Sequence, residues 1–357
     1  MTSYAVVGGG WRSEFYIRLG LLAPERFEFI GAVVRNAERT QTLHEDYGIP
    51  TFESLSRLLK FKRPDFVVVA VSWDSNPEVV EELVKAGVPV LCETPPAPTD
   101  LALREMWNAV GESDLVHVAE QYLRLPGHAA KLVAINEGLI GTPTSVEISS
   151  THGYHAVSMM RGFLQAGFEP CQIRANKFDA PLVDPLSRDG WSENLEAQMR
   201  GTTISTIDFG NGKSGLYNFV DNQWHNQLRH RRLVIRGSKG EIVDDKVISL
   251  GDGPSIVKSS FERYQLGYDL NLDGFDTEHI SLNGKVIYRN PFVGLRFMDE
   301  EIAISTLLTE MALWVSGGGD GPYPLREACQ DQLISLAIAE SLELGTTVQT
   351  QRELWGK

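Results

Sequence analysis

The chain has 357 residues, of which 42% are apolar and 22% charged, and its formal net charge is −14. This length exceeds one ordinary core and predicts two domains, and the composition excludes a disordered or fibrous chain. The negative charge disfavours nucleic acid and anionic membranes as partners. The chain does not begin with a signal-peptide pattern and contains no apolar run long enough to span a membrane, which predicts a cytoplasmic protein.

The three cysteines, Cys92, Cys171 and Cys329, are odd in number and far apart in the chain. Such spacing is typical neither of a disulfide framework nor of a structural zinc site. They are predicted to be reduced residues of the core, where free cysteine is commonly found.

Short apolar runs alternate with segments of helical periodicity over the first third of the chain. The runs occupy residues 4–7, 27–34, 65–71, 88–92 and 115–119, and the helical segments 15–22, 38–47, 77–86 and 101–110. Continuous apolar strands indicate a sheet that is covered on both faces. The region is therefore predicted to be a doubly wound parallel sheet of an α/β protein, with a ligand at the carboxyl ends of its strands.

A glycine-rich turn, "VVGGGWRS", follows the first predicted strand. Its pattern is Gly8-x-Gly10-x-x-Ser13, in which a small serine stands where the dinucleotide fingerprint has a third glycine. Such a turn brings a pyrophosphate close to the amides that open the next helix. We predict that Gly8, Gly10, Trp11 and Arg12 bind a dinucleotide.

The second predicted strand ends at Arg35 and Asn36, where a cofactor without a 2′-phosphate would normally meet an Asp or Glu. Arg35, with Arg39 one helical turn later, has the charge to pair with a 2′-phosphate. The pattern therefore favours NADP over NAD, with Arg35 and Asn36 as cofactor contacts. The alternative is that both arginines are solvated residues at the start of a helix.

The glycine-rich turn is followed by "VVVAVSWDSNPEVVEELVKAGVPVLCETPPAP" and then by "VAEQYLRLP". This order resembles the Gfo/Idh/MocA family, which includes glucose-fructose oxidoreductase, inositol dehydrogenase and their relatives. The resemblance extends to the end of the chain, since residues 323–348 look like the closing helix of the family and residues 235–242 like its sheet turn.

The resemblance implies a Rossmann domain over residues 1–122 and an α/β domain over residues 123–357. The second domain would carry a large, mostly antiparallel open sheet that binds the substrate and forms a homodimer or homotetramer through its open face. The closing helix, at about residues 324–345, is expected to pack back on the first domain. Family members commonly oxidise or reduce a secondary alcohol of a sugar, an inositol or a related polyol with NAD or NADP.

The segment beyond residue 119 fits this expectation. Residues 127–141 have the pattern of a helix, and residues 144–151 that of a strand. Alternating apolar and polar residues at 202–210 and 214–221 predict an antiparallel pair of strands.

Glu93, Thr94 and Pro95 fall on the Glu-Lys-Pro motif of the family. The family lysine lies near the reacting carbon and stabilises developing alkoxide charge, a role that a hydroxyl fills poorly. Thr94 is predicted to preserve the turn, because the prolines that follow it fix an extended backbone, while it lacks the charge. The resemblance places Glu93 at the cofactor and Thr94 at the catalytic position.

The stretch "THGYHAVSMMRGFL" matches a second family motif, with Gly153 on its glycine and His155 on its histidine. Thr151 and Ser158 occupy positions where the family has aspartates. An imidazole can take an alcohol proton during oxidation and return it during reduction. We predict His155 as the general acid/base, with His152 or Tyr154 as a helper. His152 and His155 would supply only half of a metal site, and no metal is expected.

Further candidates follow the fourth strand and the crossing between the predicted domains. Ser72 and Asn76 are expected near the cofactor, although Asn76 could instead cap the helix that follows it. Gln121 is a candidate for the cofactor and Tyr122 for the substrate, although residues here could also simply pack the hinge.

The segment "DNQWHNQLRHRRLVIRG" concentrates aromatic and basic side chains at residues 221–237. Trp224 and His225 are candidate substrate contacts, because sugar sites combine an apolar wall with a few polar anchors. The alternative is a solvated strand edge that carries a basic stripe.

Three functions are compatible with these motifs. The first is an NAD(P)-dependent oxidoreductase that acts on a sugar-like secondary alcohol. The second is a lyase or hydrolase that retains its cofactor and oxidises its substrate transiently, and the third is an inactive nucleotide-binding sensor that has lost the family lysine and aspartates.

Overall fold

The computed structural model describes residues 1–187, 189–265 and 276–357. Its strands are β1 (Thr2–Val7), β2 (Phe27–Val33), β3 (Thr51–Phe52), β4 (Phe66–Val69), β5 (Val90–Cys92), β6 (Val116–Val118), β7 (Pro143–Ser149), β8 (Gln172–Leu182), β9 (Leu186–Ser187), β10 (Gly190–Trp191), β11 (Gln198–Gly210), β12 (Lys213–Val220), β13 (Arg232–Gly237), β14 (Gly240–Val243), β15 (Lys246–Leu250), β16 (Ile256–Gln265), β17 (Thr277–Leu282), β18 (Lys285–Arg289) and β19 (Val348–Gln349). Its α-helices are α1 (Trp11–Leu22), α2 (Ala37–Tyr47), α3 (Leu55–Phe61), α4 (Asn76–Lys85), α5 (Asp100–Val110), α6 (Pro126–Asn136), α7 (Gly153–Leu164), α8 (Asp299–Val315) and α9 (Leu325–Leu344).

The chain divides into two compact units, neither of which is continuous in sequence. The first is built mainly from Met1–Pro126 and Asn290–Cys329. The second is built mainly from Gly127–Tyr264, His279–Arg289 and Gln330–Lys357. The sequence alone carries no signal for the return of residues 290–329 to the first unit.

The first unit contains a parallel sheet with the strand order β3-β2-β1-β4-β5-β6. Strand residues such as Tyr4 and Leu91 form its core together with residues of two helices. These are Tyr16 of α1 and Ile302 and Leu307 of α8, and all of these residues are buried. The predicted doubly wound sheet is confirmed. Helix α3 and strand β3 were not predicted, because seven and two residues are too short to show a period.

The second unit contains a large sheet that runs β18-β17-β16-β15-β14-β13-β7-β12-β11-β8-β19 within the described residues. Most recorded neighbours pair antiparallel, as β11 and β12 do, whereas β7 and β12 are parallel. This confirms the predicted open, mostly antiparallel sheet.

Helix α7 covers one face of this sheet. A Cβ added to Gly215 of β12 would lie 2.7 Å from the Sδ of Met160, so the glycine allows α7 to approach the strand closely. Because side chains alternate along a strand, Tyr217 and Phe219 point to the same face as Gly215, and Asn218 and Val220 point to the opposite face.

A buried ion pair ties α7 to α9 inside the second unit. Arg161 Nη1 lies 2.7 Å from Asp331 Oδ1, and the two side chains are 3% and 0% exposed. Arg161 also donates to the carbonyl of Gly167, and its guanidinium lies 5.2 Å from the ring centre of Phe168. The positive charge of Arg161 is therefore balanced by the carboxylate of Asp331 in the interior of the unit, away from water.

Across residues 1–187, 189–265 and 276–357, none of the helices has the length and apolar character needed to cross a bilayer.

Candidate functional site

The turn between β1 and α1 requires glycine at its first position. Gly8 has a φ of +132°, and a Cβ there would lie 2.2 Å from the carbonyl oxygen of Ala70 and 2.6 Å from the Oγ of Ser13. Ser13 is fully buried and donates a hydrogen bond of 3.2 Å to the carbonyl of Ala70. Ser13 therefore fills the position of the third glycine by bonding to the end of β4.

Gly10 leaves open space at the start of α1. No atom lies within 4 Å of a Cβ added at Gly10, and the residue offers no side-chain cap to the helix. The first N–H groups of a helix lack partners within it, and this end of the helix carries partial positive charge. The loop therefore fits the pyrophosphate of a dinucleotide, as the sequence predicts.

Two arginines follow β2, and only one of them has a carboxylate partner in the described structure. Arg39 pairs with Glu14 and donates to the carbonyl of Gly9. Asn36 accepts a hydrogen bond of 2.8 Å from the backbone N–H of Arg39 and so caps α2. Arg35 is exposed. Of the two cations, Arg35 is the better placed to meet a 2′-phosphate.

Glu93 follows the last residue of β5 and is held by α1. Its carboxylate accepts a hydrogen bond from the hydroxyl of Tyr16 and lies 3.6 Å from the Nε of Arg12. Burial, reinforced by the negative charge of Glu93, raises the pKa of Tyr16 well above its ordinary value. The phenol therefore stays protonated and fixes the orientation of the carboxylate.

Arg12 bridges two carboxylates. Its Nη1 lies 2.9 Å from the Oε1 of Glu300, which also accepts a hydrogen bond of 3.5 Å from Gln121. Burial alone would lower the pKa of the Arg12 guanidinium, but the charges of Glu93 and Glu300 outweigh it and raise the pKa. Arg12 is thus a fixed cation that orders the carboxyl edge of the sheet, while Trp11, 47% exposed, lies under the guanidinium at 4.6 Å.

The turn at Thr94 keeps its shape through Asn76. The Nδ2 of Asn76 donates 2.8 Å to the carbonyl of Pro96, and Asn76 is 3% exposed. The suggestion that Asn76 caps α4 is wrong, since Ser75 takes the N-cap position and the buried amide supports the turn instead. Thr94 is half-buried, and its backbone N–H donates 3.3 Å to the carboxylate of Glu93.

Ser72 and Tyr122 follow β4 and β6, two strands of the parallel sheet that are separated by β5. Ser72 is exposed after β4 and donates 3.0 Å to the hydroxyl of Ser75. Tyr122 is half-buried, and its N–H donates 2.9 Å to the carboxylate of the buried Glu120. Arg124 is bound to Glu310 through two hydrogen bonds of 3.1 and 3.2 Å, which assigns it to packing.

The second unit gathers its predicted residues into a group that we call the histidine cluster, formed by His152, His155, Phe219 and Trp224. The ring centres of His152 and His155 are 5.4 Å apart and nearly parallel, and His152 lies 4.9 Å from Trp224. Trp224 stacks on Phe219 at 5.2 Å. His152 is exposed, whereas His155 is 8% exposed. An imidazole pair therefore lies beside an aromatic wall.

The backbone at the start of α7 is anchored to the sheet. The N–H of Gly153 donates 3.1 Å to the hydroxyl of Tyr217, and burial raises the pKa of Tyr217 to about 12. Tyr154 packs edge-to-face on His155 at 5.4 Å, and His225 lies 6.0 Å from Trp224. The structure thus brings together all the catalytic and substrate candidates of the second unit.

The family aspartate positions hold buried, uncharged groups. Thr151 is 1% exposed, and Ser158 is fully buried and donates 3.0 Å to the carbonyl of His155. Among the described residues, no group of three or more His, Cys, Asp or Glu is arranged to hold a metal ion.

Tyr16 and Glu300 were not identified as site residues from the sequence. Tyr16 had a signal, because it follows Arg12 by four residues and so lies on the same helical face. Glu300 is one of three acidic residues in the first turn of α8, where an acidic side chain also interacts favourably with the helix dipole. Its partner Arg12 is 288 residues away in the chain, so the pairing needs the fold.

Residues 2–121 match the family model described as the oxidoreductase family with the NAD-binding Rossmann fold, GFO_IDH_MocA. The resemblance predicted from the sequence is thereby confirmed for these residues, which match the nucleotide domain of the Gfo/Idh/MocA family. The Gly8–Ser13 loop, Glu93 and Gln121 all lie within the matched residues.

Part of the chain is also similar to a curated protein. It is 28% identical over 159 residues to 1,5-anhydro-D-fructose reductase of Ensifer adhaerens, a match that spans 44% of this chain and 46% of that reductase. The chain thus spans about half the length of this relative.

Two solved structures share the fold over nearly the whole chain. An oxidoreductase from Agrobacterium radiobacter in complex with NAD+, L-tartaric acid and magnesium has a TM-score of 0.70 at 16% identity, over 97% of this chain and 98% of that one. A myo-inositol dehydrogenase from Corynebacterium glutamicum has a TM-score of 0.67 at 16% identity, over 99% and 100%. These likenesses show the fold.

Substitutions at the two glycines of the Gly8–Ser13 loop should cause different defects. Gly8→Ala should destabilise the protein by about 1–3 kcal/mol, because the methyl group meets Ala70 in a backbone conformation that alanine rarely adopts. Gly10→Ala should leave stability unchanged and weaken cofactor binding, because the methyl group occupies the open space. Urea unfolding and cofactor titration check both variants, and equal destabilisation by the two would contradict this assignment.

Proposed function

We propose that the protein is an NAD(P)-dependent oxidoreductase that acts on a secondary alcohol of a sugar, an inositol or a related polyol. The observation that carries this proposal is the histidine cluster, in which two stacked imidazoles lie 4.9 Å from a tryptophan face. An aromatic wall suits the C–H surface of a sugar-like ring, and an imidazole suits the proton of its hydroxyl. The names of two similar proteins, 1,5-anhydro-D-fructose reductase and myo-inositol dehydrogenase, also denote polyhydroxylated compounds.

A nicotinamide dinucleotide held by the Gly8–Ser13 loop would supply hydride transfer to or from the substrate carbon, while the residues of the chain bind the substrate and move its proton. His155 accepts the hydroxyl proton during oxidation and returns it during reduction. His152, which is exposed and stacked on His155, would orient the substrate and relay the proton, and Tyr154 supports the ring of His155 from its edge. Gly8, Gly10 and the first turn of α1 would hold the pyrophosphate, and Arg12 would fix Glu93 and Glu300 at the same edge of the sheet.

The cofactor preference rests on Arg35, which favours NADP. Arg35→Ala should weaken NADP binding by about tenfold or more, since it removes a charge-assisted bond to the 2′-phosphate, and should leave NAD binding unchanged. Arg57→Ala, at an exposed arginine of α3, is the matched control. Fluorescence titration with both cofactors measures the ratio. A parallel loss of NAD and NADP affinity would remove Arg35 from phosphate recognition.

Thr94 stands where the family has a lysine, so a substitution at this position tests whether the reaction needs the charge. The hydroxyl of Thr94 makes no hydrogen bond within the described residues, so its replacement breaks no hydrogen bond there. Thr94→Lys should therefore raise turnover by about tenfold, because a cation near the reacting carbon stabilises alkoxide charge. Thr94→Met, which has a similar length without the charge, should not raise it. A loss of activity in the lysine variant would show that the site has been rebuilt around threonine.

A second candidate function is a nucleotide-binding sensor without catalysis. It is favoured by the uncharged groups at Thr94, Thr151 and Ser158, where the family carries a lysine and aspartates. The transient-oxidation lyase or hydrolase is compatible with the same three residues.

One experiment separates these functions. The purified protein is incubated with NAD+ or NADP+ and a panel of polyols, while nicotinamide absorbance and product formation by chromatography are recorded together. The proposed oxidoreductase yields reduced cofactor and ketone in equal amounts. Product without a net change in absorbance would identify the lyase or hydrolase, and cofactor binding without any product would identify the sensor.

The predicted homodimer or homotetramer is proposed to form through the face of the large sheet that α7 does not cover. Apolar side chains lie on this face, with Ile248 44%, Leu250 50% and Ile256 70% exposed. Leu250 and Ile256 are direct partners in the ladder, so they form a continuous apolar strip.

The cytoplasmic location stays a prediction.

A further inference from the structure

A cavity of about 350 Å³ lies in the second unit, on the face of the large sheet away from the histidine cluster, at β7, β11, β12 and β13 and apart from the apolar strip of β15 and β16. Asn218 and Val220 of β12 line it, whereas Phe219 between them stacks on Trp224. Since neighbouring side chains of a strand point to opposite faces, the cavity and the cluster are on different faces of the same sheet. The cavity therefore belongs to no part of the site described above.

Neighbouring strands extend the lining of the cavity. Thr202 is the ladder partner of Val220, and Ser149 is the ladder partner of Arg232. All four residues border the cavity, together with Asn218. Hydroxyl and amide groups of the strands thus line the part of the cavity that the sheet forms.

Its rim is basic. Arg229, His230 and Arg232 line the cavity and are exposed, and no carboxylate is among the described residues that line it. The chain as a whole has a net charge of −14, so a cationic lining runs against its overall composition. Such a lining attracts anions locally even in an acidic protein.

The basic loop is held by a buried glutamine. Gln223 is 4% exposed, its Nε2 donates 2.8 Å to the carbonyl of Ser149 and 2.9 Å to that of His230, and its Oε1 accepts 3.1 Å from the N–H of Val220. Arg231 turns away and donates to the carbonyl of Trp224. The backbone that carries Arg229 and Arg232 is thereby organised before any ligand binds.

We propose that this cavity is a binding site for a small phosphate ester. Two arginines can form bidentate, charge-assisted hydrogen bonds to a phosphate group, and the imidazole of His230 adds another donor. The volume is in the range of small-molecule sites and exceeds what a bare phosphate fills, so the hydroxyl and amide groups of Thr202 and Asn218 remain for the organic part.

The test is isothermal titration of the intact protein at low ionic strength with glucose 6-phosphate, inorganic phosphate and glucose. We expect saturable binding of glucose 6-phosphate that weakens as salt is added and that excess glucose does not displace. Arg232→Met should weaken the binding at least tenfold. Arg236→Met is the matched control, because Arg236 lies on the same face of β13 but pairs with Glu241 at 2.6 Å outside the cavity.

Two further variants keep the test decisive. Asn218→Asp places a carboxylate in the cavity with almost no change of shape and should abolish binding, whereas His155→Ala should leave it unchanged. Inorganic phosphate that competes with glucose 6-phosphate would support the oxyanion as the recognised group.

The proposal is overturned if no saturable heat is found, or if Arg232→Met and Arg236→Met weaken binding equally. It is also overturned if Arg232→Met dissociates an oligomer and the parent protein binds no phosphate. In that case the basic rim would contact a second copy of the chain.

Discussion

His155→Ala is expected to lower turnover by about 10²- to 10⁴-fold, the range that a general acid/base contributes. Without the imidazole, the hydroxyl proton of the substrate has no positioned acceptor, although the nucleotide domain is untouched. Initial rates of nicotinamide reduction measure the loss, and a fluorescence titration of cofactor shows whether binding is retained.

The matched control is His44→Ala, at an exposed histidine of α2. Its turnover should equal that of the parent, and thermal unfolding should show that both variants are folded. If His155→Ala kept its turnover within twofold of the parent, His155 would have no role in the reaction, and the histidine cluster would be a packing feature.

Asp331→Asn is expected to destabilise the protein by about 3–5 kcal/mol, because it removes the carboxylate that lies 2.7 Å from the buried charge of Arg161. The pair is separated by 2.7 Å, and Asp331 is fully buried, so water cannot replace the lost carboxylate. Urea unfolding followed by circular dichroism measures the free energy of unfolding. We expect cofactor binding by the folded variant to be unchanged.

Glu81→Gln provides the comparison, since Glu81 pairs with Lys85 on the exposed face of α4, with side chains 40% and 72% exposed. Exposed pairs of this spacing contribute about 0.3–0.5 kcal/mol. A cost for Asp331→Asn as small as that of Glu81→Gln would contradict the view that α7 and α9 depend on this ion pair.

The nucleotide domain could be predicted from the sequence because its signals are local. Continuous apolar strands such as β1 and β4 and the Gly8–Ser13 turn are each contained in a short window of sequence. The start of α1 at Trp11 was placed too late, at residue 15, because the first turn of the helix carries the polar Arg12 and Ser13 instead of an apolar stripe.

Site residues could be predicted from the sequence only where a local pattern marked them, because contacts between distant segments depend on the fold. The family motif identified His155, and composition identified the segment of Trp224, but the contact of His152 with Trp224 joins residues that are far apart in sequence. The link between Arg12 and Glu300 is invisible for the same reason.

The basic segment at residues 221–237 divides between two faces of the sheet. Trp224 belongs to the histidine cluster, with His225 beside it, whereas Arg229 and His230 line the cavity. The sequence shows the composition of this segment, but the division depends on how Gln223 folds the loop against β7.

The central claim, that the Gly8–Ser13 turn binds a nicotinamide dinucleotide used for chemistry on a sugar-like alcohol, is tested most directly by mass spectrometry of the purified protein. Native spectra, before and after addition of reduced cofactor, give the bound mass, and denaturing spectra give the phosphate state of any cofactor released. We predict a protein that binds one dinucleotide per chain and binds it more weakly in Gly10→Ala. A protein that binds neither NAD(H) nor NADP(H) would contradict the proposed function.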